Sequence, residues 1–256
     1  GLTIMLTDTH THLADPILAQ QLPDVLQHAQ QAGVTRFIVP ATHAADWQAV
    51  LALSAPHILP ALGIHPWWAD AATEDDFAAL DALLSQHTRV LMGEIGLDYL
   101  HAPTPTARQH QQTAFTAQLR LAQQHQRPII LHNLRATHDV VRLIKQTGFQ
   151  QGGFAHAFSG SLEEAYRLIE HGFLIGIGAL LLNPRAQKVR HAASKLPLEH
   201  LVLETDSPFM LPNHSNRPAN VRAIAEIVCQ LRGISLASLA QQTEQNIHTL
   251  LHRLPE

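Results

Sequence analysis

Eight short apolar runs, each followed by a longer stretch with helical spacing, set the terms on which this chain can fold. The runs cover residues 3–8, 37–41, 58–66, 90–98, 128–132, 153–158, 173–178 and 201–206 of 256. Their unbroken hydrophobic character marks strands buried on both faces, as in a parallel sheet. Between them, stretches such as 106–125, 162–171 and 220–232 place apolar residues three and four apart, as amphipathic helices do. Thr73 ahead of Glu74-Asp75-Asp76, and Ser161 ahead of Glu163-Glu164, read as helix caps. Eight such alternations predict a closed (β/α)8 barrel, with residues 1–256 as one domain. An open doubly wound sheet also alternates, but no GxGxxG follows the first run.

Composition narrows the partners. The net charge is −4 and only 15% of residues are charged, so the chain lacks the basic footprint of most nucleic-acid binders. If it handles phosphates, metal ions must supply much of the positive charge. Cys229 is the one cysteine, which rules out an internal disulfide and suits a reducing cytoplasm. No apolar run approaches the length of a membrane span, and the N-terminus lacks a signal-peptide pattern, so a cytoplasmic location is expected. Most of the glutamine and histidine falls in helical patterns and reads as solvated surface.

The ends of the strands carry the chemistry. The first run closes on Asp8-Thr9-His10-Thr11-His12. Alternate residues of a strand share a face, so His10 and His12 would aim at one point, and imidazoles converging on a point suit a divalent metal. A lone His-x-His also suits a capped turn; the later strands decide between the two. The third run ends in Gly63-Ile64-His65-Pro66, the fourth carries Glu94 and Asp98, the fifth ends in His132, the sixth contains His156, and the eighth ends in Asp206. In a barrel all these ends open onto one face, where active sites lie. Four imidazoles and two carboxylates exceed what one tetrahedral site needs. They suit two divalent ions roughly 3.5–4 Å apart, with positions open to water and substrate. Glu94 is the natural bridging carboxylate.

The motifs DTHTHL, GIHP, GEIGLDY, ILH, HAFSG and LETDSP, in this order and spacing, resemble the TatD family of metal-dependent hydrolases from Asp8 to the terminal QNIHTLL. The resemblance implies a TIM barrel. It also implies one metal site from His10, His12, Glu94 and Asp206, and a second from Glu94, His132 and His156. The implied activity is that of a magnesium- or manganese-dependent deoxyribonuclease acting from the 3′ end, with single-stranded DNA as the partner and no obligate protein partner. The chain departs from the family after the fifth strand. There the family often has H-x-R-[DE]-A, and here the stretch is His132-Asn133-Leu134-Arg135-Ala136, so the arginine is displaced by one residue. Ala157 stands where the family often has cysteine.

The expected mechanism is phosphodiester hydrolysis assisted by two metals. Asp206 is a metal ligand and a candidate base for the attacking water. His65 is the candidate for binding phosphate or protonating the leaving oxygen. Arg135 and Arg217, the latter in Asn216-Arg217-Pro218, are candidate substrate contacts. Asp98 and Asp8 are candidates to orient ligand histidines. The alternative is a small ester, amide or lactone hydrolase on the same binuclear site. Related enzymes of that kind often bridge the metals with a carboxylated lysine, and none of the eight runs contains lysine. The metals stay open among magnesium, manganese and zinc, since imidazole ligands suit zinc or manganese and magnesium prefers more oxygen.

Overall fold

The structure, a computed structural model, describes residues 3–254. Eight parallel strands form one sheet in sequence order: β1 (Leu6–Asp8), β2 (Val34–Pro40), β3 (Ile58–Leu62), β4 (Leu91–Asp98), β5 (Ile129–Leu134), β6 (Gly153–His156), β7 (Phe173–Ile177) and β8 (Leu201–Leu203). The helices are α1 (Pro16–Ala19), α2 (Leu22–Gln31), α3 (Trp47–Ala52), α4 (Glu74–Gln86), α5 (Pro105–His125), α6 (Thr137–Thr147), α7 (Leu162–Ile169), α8 (Gln187–Lys195), α9 (Val221–Arg232) and α10 (Leu236–Leu251). β8 meets β1 through backbone bonds just beyond the strands. Thr9 N–H donates to Leu203 O at 3.1 Å, Asp206 N–H to His10 O at 2.8 Å, and His12 N–H to Ser207 O at 2.9 Å. The molecule is therefore the (β/α)8 TIM barrel that the alternation predicts.

Two apolar layers explain why most strands carry hydrophobic residues on both faces. One face of the sheet packs against the surrounding helices. The other fills the barrel with Ile38, Ala61, Leu91, Ile130, Phe154, Leu174 and Val202, one residue from each of β2 to β8. Ile247 and Leu250 of α10, with Leu254, join this inner cluster and plug the barrel at the start of its strands. Thr73 and Ser161 cap α4 and α7 as expected, their hydroxyls each accepting a backbone N–H three residues on, from Asp76 and Glu164. No single helix among the described residues is long and apolar enough to cross a membrane.

Strand limits differ from the pattern in one consistent way. β3 and β8 stop before the residues that carry site chemistry and β6 stops at His156, although the apolar runs continue to 66, 206 and 158. Ala157 and Asp206 adopt left-handed backbone, with φ of 48° and 59°, which ends the extended conformation. β1 starts at Leu6 rather than residue 3, and β2 starts earlier than the run suggests, at Val34.

Candidate metal centre

Side-chain alternation builds the centre directly above the inner apolar layer. On β5, β6 and β8, the inward residues Ile130, Phe154 and Val202 are followed two positions later by His132, His156 and Glu204. Glu94 breaks the alternation. The register of β4 against β5 shifts between Gly93 and Ile95, and such a bulge re-aims a side chain. Here it sends Ile95 to the outer core and Glu94 into the barrel. Gly96 makes the approach of β4 to β5 possible, because a Cβ there would overlap the His132 carbonyl.

Glu94 is 3% exposed and five imidazoles surround it. Its two oxygens face different sets. Oε2 lies 3.2 Å from His10 Nε2 and 3.8 Å from His12 Nε2. Oε1 lies 3.0 Å from His132 Nδ1, 3.5 Å from His65 Nε2 and 3.5 Å from His156 Nε2. Asp206 sits across from the first set, its Oδ1 3.0 Å from His12 Nε2 and 3.5 Å from His10 Nε2, while its Oδ2 reaches His156 Nε2 at 3.7 Å. Among the described residues, the donor atoms of His10, His12 and Glu94 lie within 4.8 Å of one another, as do those of His65, Glu94 and His132. His65, expected over the substrate, thus stands among the ligand atoms.

The donor set fits divalent metal. His10 is fully buried, and among the described residues neither ring nitrogen makes a well-directed hydrogen bond, although Nε2 lies 3.2 Å from Glu94. A buried nitrogen without a partner is costly unless something else uses its lone pair. His65 Nε2 and His132 Nδ1 face each other at 3.2 Å while both face the same carboxylate oxygen. A cation shared with Glu94 satisfies all three atoms.

Outer partners hold the ligand rings. Asp98, fully buried, accepts from His132 Nε2 at 2.8 Å, so Nδ1 is turned to the centre. It also accepts from Trp67 Nε1 at 2.8 Å and from His101 Nδ1 at 2.9 Å. Glu204 does the same for His156, its carboxylate 3.0 Å from Nδ1, and it accepts the Ala157 N–H as well. Sequence reading missed Glu204, although the alternation that pairs His10 with His12 pairs it with Asp206. It also missed two glutamines of α5. Gln118 clamps both backbone groups of Ile64, next to His65, and Gln111 clamps both of Asp98.

Three expected residues lie elsewhere. The Asp8 carboxylate accepts from the Thr205 hydroxyl and N–H and from the His10 N–H, so it ties β1 to the loop after β8 instead of orienting an imidazole ring. Backbone donors at the β1–β8 seam reach it first. Arg217 is held by Asp24, Gln21 and His28 around α2, away from the centre. Arg135 has left-handed backbone and lines, with Lys188 and Glu164, a neighbouring depression of about 310 Å³. Leu134, which stands where the family often has arginine, lines the metal cavity itself.

Charge is strongly organised. Burial opposes the Glu94 charge, yet His10, His65 and His156 hold its carboxyl well below the usual range. Asp206 is also lowered against burial, chiefly by His156 and His12. Burial shifts His10 and His65 downward. His156 goes the other way: despite burial, Glu204, Asp206 and Glu94 push it up to about 10. His12 and His132 are raised against burial by Asp206 and by Asp98 with Glu94. Above the cluster opens a cavity of about 580 Å³, walled by Trp67, Trp68, Leu134, Leu180, Phe209 and Met210 among others, with no lysine or arginine in its lining.

Comparison with known proteins agrees with this fold. The family model described as TatD related DNase matches residues 7–252. A relative in Escherichia coli K12, named as the uncharacterized metal-dependent hydrolase YjjV, is 37% identical over 254 residues, covering 96% of this chain and 97% of its own. The crystal structure of that TatD homologue superposes with a TM-score of 0.90 at 34% identity, covering 97% and 98% of the two chains. Human deoxyribonuclease TATDN3 is 29% identical over 264 residues, covering 97% of this chain and 95% of its own.

Proposed function

The chain belongs to the TatD-related DNase family of metal-dependent hydrolases, and from that premise we propose that it hydrolyses phosphodiester bonds of single-stranded DNA from the 3′ end, with two divalent cations shared by Glu94. One observation carries the proposal. The two Glu94 oxygens face separate imidazole sets, as a carboxylate bridging two ions requires. His10, His12 and Asp206 would hold one cation, and His132, His156 and His65 the other. Such a pair supplies polarisation of a phosphoryl oxygen and a more acidic water.

The chain's own groups do the rest. Asp206, kept ionised and partly open to the cavity, accepts the proton of the attacking water. His65, with Nε2 3.5 Å from Glu94 and among the ligand atoms, contributes that nitrogen as a ligand and not a proton to the leaving oxygen. Asp98 and Glu204 fix the rings of His132 and His156 so that their free nitrogens stay aimed at Glu94.

The test is release of label from 3′-labelled single-stranded DNA after chelation and return of magnesium, manganese or zinc. Glu94→Ala should lower turnover by more than about 100-fold, beyond what losing an outer partner costs. Wild-type turnover in that variant would end the bridging assignment. A second reading, hydrolysis of a small neutral ester, amide or lactone, is favoured by the cation-free lining of the cavity. Cleavage of p-nitrophenyl esters or lactones with DNA left intact would select it.

A further inference from the structure

The mouth of the metal cavity holds two adjacent tryptophans that the mechanism does not use. Trp67 is 58% exposed and Trp68 43% exposed, which is unusual for the largest apolar side chain. Neither is loose. Trp67 donates Nε1–H to the buried Asp98 at 2.8 Å, and its ring stands edge-on to His65 with centroids 5.1 Å apart. Trp68 lies flat on His43, with centroids 3.8 Å apart and planes within 7°. Both line the cavity above Glu94. The platform is thus one imidazole away from the metal centre, through His65, whose Nε2 is 3.5 Å from Glu94.

The cavity dictates what such a platform is for. At about 580 Å³ it has room for a group the size of a nucleotide. Its lining among the described residues offers no lysine or arginine, with Arg135 and Lys188 in the adjoining depression, so a group held inside the cavity gains charge compensation at the cations alone. Remaining affinity has to come from apolar and aromatic surface. Pre-fixed indoles bind flat rings with little further ordering cost, and stacking of this kind accepts any base.

We propose that Trp67 and Trp68 form an aromatic platform that selects substrates carrying a planar ring beside the scissile bond, a nucleobase where the substrate is DNA. This rests on the hydrolase reading above and adds the group that reading leaves unassigned. A small aromatic ester presents the same chemistry, and the experiment separates the two sources.

The measurement is quenching of tryptophan fluorescence in the magnesium-loaded protein, which reads binding without turnover. The ligands are two pairs: thymidine 5′-monophosphate against 2-deoxyribose 5-phosphate, and phenyl phosphate against methyl phosphate. In each pair only the first member carries a ring. The wild-type protein should prefer the ring-bearing member of at least one pair on the order of 10-fold, the scale of one stacked base. Trp68→Ala should erase that preference, and Trp68→Phe should restore most of it. Preference confined to the thymidine pair identifies a nucleobase; preference confined to the phenyl pair identifies a small aromatic group. Equal affinity within both pairs overturns the platform, as does a preference that survives both Trp68→Ala and Trp67→Ala. The hydrolase reading fails separately, by absence of metal-dependent turnover on DNA and on esters, and ring preference in such a protein would leave the platform standing.

Discussion

Asp98 accepts hydrogen bonds from three side chains while having no exposed surface of its own. Asn at this position keeps the shape but loses the charge and one acceptor oxygen, so His132 loses the bond that turns Nδ1 inward. Asp98→Asn should weaken metal binding by about 10–100-fold, read by competition with a chromophoric chelator. Unchanged affinity would mean that His132 does not bind metal through Nδ1. At this scale the sequence was legible where a residue type and a strand end coincide, as at His10, His12 and Asp206, and at Glu94 through its place in the fourth run although a bulge within β4 aims it. It was not legible at Glu204, which sits inside an apolar run and shows its purpose only once the inward face of β8 is known. Gln111 and Gln118 were hidden for a different reason. Seven residues apart on α5, they share the face turned to the barrel, and a glutamine-rich helix gives no sign of which glutamines bond buried backbone. Arg217 was misplaced because nothing in its own loop announces the acceptors on α2.

Strands and helices follow the apolar pattern closely until the pattern passes into the site. The runs read from sequence continue past the ends of β3, β6 and β8, but backbone that must present Ala157 N–H to Glu204, or the Asp206 carboxylate to His12, leaves the extended conformation. Propensity carries no record of that demand. Elements are also tied by a residue with no apparent signal. Arg127, 2% exposed, donates to the carbonyls of Leu84, His87, Val90 and His125. It therefore joins the end of α4, the approach to β4 and the end of α5. Arg127→Met would leave the buried carbonyls of Leu84 and Val90 without this donor. Unpaired buried groups cost about 1–3 kcal/mol each, partly relieved by relaxation, so a loss of roughly 2–4 kcal/mol is expected in urea unfolding. A loss below about 0.5 kcal/mol, the scale of an ordinary surface change, would show that the clamp is not holding these elements.

For the molecule as a whole, metal and proton compete for the same nitrogens. His156 is raised to about 10, so the metal-free protein carries that ring protonated near neutral pH, and His12 and His132 are shifted in the same direction. A raised histidine contributes stability that is fully present below its unfolded value of about 6.5 and is lost as pH climbs through the folded one. Metal needs the neutral ring, so its affinity should run the opposite way, rising from pH 6 to pH 8 with protons released on binding. Isothermal titration in two buffers of different ionisation heat counts them, and a count of zero would contradict the ligand assignment. The seam between β8 and β1 has a temporal meaning too. Asp206 and His10 are neighbours in space and nearly two hundred residues apart in the polypeptide, joined by one peptide hydrogen bond. A nascent chain halted anywhere before that late aspartate lacks one wall of the cage and the bond that closes the seam, so the centre can form only after residue 206 has been added.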